Sequence, residues 1–137
     1  MKYLCSFLPL FLLSPLFAQK VEPTYKQISY GPHKDMVLNF WKIDSKKPTP
    51  LLVHIHGGGW LGGKKHETVG ANQLKLGYSY ASIDYRLAGT ELLPAAVHDA
   101  ARAIQFLRTK AKEWNFDPKR IAVTGGSAGA ASSMWLA

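Results

Sequence analysis

Cysteine is almost missing from this sequence: the single copy is Cys5, inside the first apolar stretch. Beyond that stretch no thiol remains. Disulfides, thiolate metal sites and cysteine nucleophiles are therefore excluded there. Acidic residues are also scarce, 9 against 17 Lys and Arg, for a formal net charge of +8. A balance of that sign can serve nucleic acid or other acidic surfaces. Here the basic residues are scattered, as Lys46-Lys47, Lys64-Lys65, Lys110, Lys112 and Lys119-Arg120. No dense basic tract with interleaved aromatics occurs. The charge reads as a solvated surface, and no nucleic-acid partner is expected. Internal repeats and low-complexity tracts are absent too.

Only one long apolar run is present, and it comes first. Met1-Lys2 gives a short positive start, residues 3–17 are almost wholly apolar and uncharged, and Ala18 precedes polar Gln19-Lys20. This is the outline of a secretory signal peptide over residues 1–18. Cleavage is expected after Ala18, although Leu16 is larger than the small residue usual at that place before the cut. The run is short and broken by Pro9 and Pro15, which argues against a membrane span. The expectation is a secreted or periplasmic protein with no stable membrane anchor after cleavage. The 137 residues allow one domain, and a composition 47% apolar can supply its core.

The rest of the chain alternates strand-like and helix-like segments. Short strands are expected at 27–30, 36–42, 51–56, 79–84 and 120–124. Residues 44–50 (DSKKPTP) form a polar, proline-punctuated loop. Residues 67–76 read as a helix of modest periodicity. The strongest helix follows Pro94, with Val97, Ala100, Ala101, Ile104, Leu107, Ala111 and Trp114 at helical spacing. Residues 115–119 (NFDPK) read as a turn, 125–129 as a tight turn and 130–137 as a starting helix. Strands alternating with helices predict an α/β fold, a mostly parallel sheet flanked by helices.

Two glycine-rich turns carry the chemistry. Gly125-Gly126-Ser127-Ala128-Gly129 fits G-x-S-x-G between a strand and a helix, the setting of a nucleophile elbow. A serine on a sharp bend is pushed out at the carboxyl edge of the sheet. Its neighbours two before and two after must be very small, because the chain doubles back there. Upstream, His56-Gly57-Gly58-Gly59-Trp60 also follows a strand. Acyl transfer passes through a tetrahedral oxyanion, which needs two or three N–H donors already in place. Glycines let the backbone supply them. The candidates are the N–H groups of Gly58, Gly59 and Ala128, with Ser127 as nucleophile. His56 is expected to brace the loop and Trp60 to line or pack against the substrate pocket.

These motifs resemble the hormone-sensitive-lipase-like esterases of the α/β-hydrolase fold, and especially their feruloyl and acetylxylan esterase relatives. HGGGW at 56–60, DYRL at 84–87, PAAVHDA at 94–100 and GGSAG at 125–129 stand in that family's order. The likeness spans about residues 35–137. It implies a serine carboxylic-ester hydrolase acting on small or carbohydrate-linked esters, without a cofactor. Residues 19–137 would be the N-terminal part of the domain, truncated after the nucleophile elbow. The family's acid and histidine follow the serine in chain order, and nothing here lies beyond Ala137. By the same resemblance Asp84, Arg86 and Asp99 would tie loops near the sheet edge.

Other readings compete for the same residues. His98 and Asp99 tempt as a base and its orienter, but neighbours on a helix point to different faces; Asp99 reads as a first-turn acid favoured by the helix dipole. Gly57 to Gly62 fits the dinucleotide fingerprint, with Asp84 ending the next strand. Bulky Trp60 inside the turn, and a GGSAG elbow left unexplained, argue against it. Residues 58–65 nearly read as a P-loop, but Lys65 stands where Ser or Thr must hold Mg²⁺. His54 and His56 share a strand face as metal ligands might, without a third ligand, so no metal site is expected. A peptidase of the same fold is the nearest enzymatic alternative, and an inert truncated fragment the non-enzymatic one.

Overall fold

A computed structural model describes residues 19–137; the signal-peptide reading of residues 1–18 lies outside the described residues. Among the described residues ten elements follow one another: β1 (Lys20–Val21), β2 (Tyr25–Ser29), β3 (Val37–Trp41), β4 (Thr49–Ile55), β5 (Val69–Gly70), α1 (Ala71–Leu74), β6 (Ser79–Ile83), α2 (Ala95–Trp114), β7 (Phe116–Gly125) and α3 (Ala128–Trp135). Five strands make one sheet in the order β2-β3-β6-β4-β7. β2, β3 and β6 pair antiparallel, while β6, β4 and β7 pair parallel. The parallel half is what carries the two glycine turns.

Period-two alternation explains why β4 is a strand. Thr49, Leu51, Val53 and Ile55 are buried, and Pro50, Leu52 and His54 between them are only half-buried. The buried row meets α2, whose Ala96, Val97, Ala100, Ala103, Ile104, Leu107, Ala111 and Trp114 recur at helical spacing. Small alanines let the helix lie close to Leu38, Val53, Ala81 and Ile83 of the sheet. At the far end the gap is filled by aromatics: Trp114 lies 4.6 Å from Phe40 and 4.7 Å from Tyr25, ring centre to ring centre. α2 stops at Asn115, which takes the left-handed conformation (φ 58°, ψ 48°) that asparagine tolerates. Its side chain donates to the Ser45 carbonyl at 2.8 Å and pins the loop before β4.

Two local expectations are corrected. Residues 67–76 are not a helix: Val69 is buried and pairs with Val21, and only the single turn Ala71–Leu74 is helical. The β-branched pair Thr68-Val69 favours extended chain, the glycine at 70 disfavours helix, and a partner strand at Lys20–Val21 decides the matter. That partner is two residues long and leaves no pattern of its own. Trp41 Nε1 holds it by donating to the Val21 carbonyl at 2.9 Å. Residues 115–119 belong largely to β7, which begins at Phe116. The turn survives as a register break against β4, where Asp117 accepts from the Lys119 N–H and Arg120 Nε, each at 2.9 Å.

Candidate active site

Ser127 sits between the end of β7 and the start of α3 with φ 52° and ψ −120°. A non-glycine residue in that region carries about 1–3 kcal/mol of strain. The bend is enforced from both sides. A Cβ on Gly125 would strike the Ile55 carbonyl oxygen and stand 2.9 Å from Gly129 Cα. A Cβ on Gly129 would strike the same Ile55 oxygen and come 2.9 Å from the His56 oxygen. The elbow therefore rests directly on the end of β4. Ser127 itself is exposed at the carboxyl edge of β4 and β7, with the N-terminus of α3 behind it.

β4 delivers His56-Gly57-Gly58-Gly59-Trp60 to the same edge. A Cβ on Gly57 would stand 2.7 Å from the Gly126 oxygen and 3.6 Å from Ser127 Cβ, so the glycine loop abuts the elbow. Gly58, Gly59 and Trp60 take φ of 110°, 62° and 59°. Of these three consecutive positive φ values, glycine allows the first two at no steric cost, and Trp60 takes the third as a non-glycine residue. The Gly58 carbonyl accepts from the N–H groups of Leu61 (3.0 Å) and Gly62 (3.1 Å), which closes a tight turn. Among the described residues, the N–H groups of Gly58 and Gly59 serve no turn or loop hydrogen bond. That of Ala128, the first residue of α3, has no intrahelical acceptor.

His56 and Trp60 fasten the loop to its surroundings. His56 is buried, donates from Nδ1 to the Gly57 carbonyl at 2.8 Å and stacks on Tyr85 with ring centres 4.2 Å apart. Its Nε2 lies 3.5 Å from Asp84 Oδ1. Trp60 is half-buried and donates from Nε1 to Ser132 Oγ at 3.1 Å, which ties the loop to α3.

Sequence places Lys65 only among the scattered basic residues and at the mismatched position of a near P-loop, and the solvated-surface reading is corrected there. Its side chain is only 2% exposed, with Nζ 2.9 Å from Glu67 Oε1 and 3.4 Å from Asp84 Oδ2. The hydrogen bond from Lys65 holds the Glu67 carboxyl below its usual range. No sequence signal separates Lys65 from exposed Lys64. Asp99 needs a second correction. It lies past the first turn of α2, and its carboxylate grips Arg86 through Nε (2.9 Å), a terminal nitrogen (2.6 Å) and the backbone N–H (3.0 Å).

The remaining histidines lie elsewhere. His98 is exposed, its ring centre 5.7 Å from that of Trp135, and His33 stands beside Asp35. His54 and His66 stack at 4.2 Å on the other face of the sheet. Burial, then the nearby His66 and His56, push His54 down to about 4, and burial first also lowers His66. Their nitrogens meet Ser82 and the Tyr80 hydroxyl, not Ser127. Among the described residues, no group of three His, Cys, Asp or Glu side chains gathers as a metal site requires.

Against this geometry the relatives can be weighed. The family model BD-FAE matches residues 40–137. A carboxylesterase, NlhH of Mycobacterium tuberculosis, is 39% identical over 93 residues, which are 66% of this chain and 29% of that protein. A truncated carbohydrate esterase from gut microbiota superposes with TM-score 0.72 at 27% identity, over 80% of this chain and 41% of that one. An acetyl ester-xyloside bifunctional hydrolase from Caldicellulosiruptor lactoaceticus gives TM-score 0.60 at 30% identity, over 71% and 36%. The chain thus spans less than half of the length of each of these proteins. Strained serine, glycine loop and matching relatives agree: the chain belongs to the BD-FAE family and has the α/β-hydrolase fold of its esterase neighbours.

Proposed function

We propose that this protein is a serine carboxylic-ester hydrolase working by acyl transfer through Ser127. The observation that carries the reading is the contact of the Gly57 loop with the Gly126-Ser127 bend. It supports a site in which the free N–H groups of Gly58, Gly59 and Ala128 serve the serine. In the reaction Ser127 Oγ attacks the ester carbonyl carbon while a base takes its proton. The carbonyl oxygen becomes an oxyanion that accepts hydrogen bonds from those three donors. The carbon–oxygen bond to the alcohol then breaks, the alcohol leaves with the proton, and water releases the acid in a second round.

The base and its orienting acid belong, on this reading, to polypeptide that follows the elbow, in the order serine, acid, histidine usual for the fold. The greater length of the esterase relatives supports this. The substrates are small or carbohydrate-linked esters, a choice supported by the carbohydrate esterase neighbour. Acyl transfer of this type uses no cofactor. The apolar start of the chain supports export, and a secreted or periplasmic location is proposed with it. A mature N-terminus at Gln19, read by mass spectrometry, tests the export.

The catalytic test uses the full-length protein. A fluorophosphonate labels Ser127, and p-nitrophenyl acetate is hydrolysed. Ser127→Ala removes the label and lowers kcat by about three orders of magnitude or more. A well-folded wild-type protein that takes no label overturns the reading.

A further inference from the structure

We propose that Asp84 is the positioning residue of the oxyanion loop: its carboxylate hydrogen-bonds the exit of the 57–64 turn at Lys65 and lies against His56 at the entrance, and so fixes where the Gly58 and Gly59 N–H groups point. This rests on the ester-hydrolysis reading of Ser127 and that loop.

Oxyanion donors stabilise charge only if they are aimed before the charge forms. Three glycines in a row have the most backbone freedom to lose, so the loop needs outside restraint. Inside the turn, only the Gly58 carbonyl accepts from neighbouring N–H groups. The restraint comes from the residues that flank it. At the entrance His56 Nε2 lies 3.5 Å from Asp84 Oδ1, while His56 Nδ1 holds the Gly57 carbonyl at 2.8 Å. At the exit the Lys65 N–H donates to the same Asp84 Oδ1 at 2.5 Å, and Lys65 Nζ lies 3.4 Å from Oδ2. One carboxylate therefore touches the residue before the turn and the residue after it.

Asp84 is itself firmly rooted. It follows β6, the strand beside β4, and its N–H donates to the Val37 carbonyl at 2.9 Å. The Tyr30 hydroxyl donates to its carbonyl. The next residues reinforce the grip: the Tyr85 hydroxyl donates to the His56 carbonyl at 2.9 Å, and the Ala88 N–H to the Trp60 carbonyl at 2.7 Å. The side chains of His56, Asp84 and Lys65 are 6%, 18% and 2% exposed. In so little water the attraction between carboxylate and ammonium is weakly screened.

The test compares Asp84→Asn and Lys65→Met with wild type in the full-length enzyme. Asparagine keeps the shape and one acceptor oxygen but loses the charge. Methionine removes only the Nζ arm and leaves the Lys65 N–H in place. For p-nitrophenyl acetate, Asp84→Asn is expected to lower kcat about 10- to 100-fold with KM within about twofold, because the donors act mainly in the transition state. Lys65→Met lowers kcat about threefold to tenfold in the same pattern. The rate of fluorophosphonate inactivation falls in parallel, since the phosphonyl oxygen is held by the same donors. A merely structural role lowers the amount of folded protein but leaves kcat per labelled site unchanged. If Asp84→Asn does not fold, Lys65→Met decides alone. Wild-type kcat in the folded variants, or a loss confined to KM, overturns the proposal. A wild-type enzyme that neither labels nor hydrolyses ester overturns instead the functional reading beneath it.

Discussion

Gly129 shows how little room the elbow leaves a side chain. The atoms its Cβ would meet are the Ile55 and His56 carbonyls, which are backbone and cannot rotate aside. Gly129→Ala is expected to cost about 1–3 kcal/mol, the usual range for forcing a methyl into a filled space. Gly62 has nothing within 4 Å of its Cβ position, so Gly62→Ala should change stability by less than about 0.5 kcal/mol. Urea unfolding midpoints of the full-length protein check both. Equal effects would mean that the elbow relaxes away from β4. His54 allows a second prediction at this scale. It titrates near its ordinary value in the unfolded chain but only at about 4 when folded. The unfolded state then binds more protons between those values, so folding weakens as pH falls from about 6.5 to about 4 and levels off below. His66 adds in the same direction. In a series of melts across that range, Tm of the wild type should decline more steeply than that of His54→Gln. Parallel curves would show that other groups govern the acid response.

Between elements, the Arg86–Asp99 pair is the tie that fixes α2 to the segment after β6. The pair is asymmetric: Asp99 is 1% exposed and Arg86 25%. Removing the carboxylate leaves an arginine that can reach water. Removing the arginine leaves a buried carboxylate with no partner cation. Arg86→Met should therefore cost about 3 kcal/mol or more and exceed the cost of Asp99→Asn, as chemical denaturation of the two variants can show. The reverse order would mean that Asp99 finds another partner. This tie also marks the limit of what was legible in sequence. α2, with its twenty periodic residues, has the bounds expected from its apolar spacing. β4 and β6 were equally plain, because a buried strand must alternate or be wholly apolar, whereas the half-exposed strand into the elbow was legible only from residue 120 on. The glycines at 125 and 129 were readable because a chain that doubles back leaves no space for a Cβ. What escaped had no local pattern. β1 and β5 exist only through each other, four residues in two pairs. Lys65 differs from Lys64 only in the carboxylates that tertiary folding places beside it.

At the scale of the molecule, the two faces of the sheet are unlike. α2 and α3 cover one face, and the large core lies beneath α2. The other face carries a smaller cluster around Trp41, Val69 and Tyr80, with Leu52, Leu74 and Tyr78 against it. Beside that cluster Pro50, Leu52, Tyr78, Ile121 and Ala122 line an open apolar hollow. Among the described residues β7 has a partner strand on one side only, and its other edge is a row of backbone donors and acceptors ready to pair. Met134 and Trp135 at the end of α3 are 80% and 58% exposed. Apolar surface beside an open edge drives association of whatever chains present it. A polypeptide of residues 19–137 alone should therefore enlarge with concentration in analytical ultracentrifugation and brighten the dye ANS. Placing a charge on the exposed face of the edge strand, Ala122→Lys, should reduce both effects, since lysine on an edge opposes strand addition. The full-length protein should show neither. A fragment that stays monomeric and dark to ANS across the concentration range would mean that this surface is satisfied within residues 19–137, and that the edge of β7 is not where further chain adds.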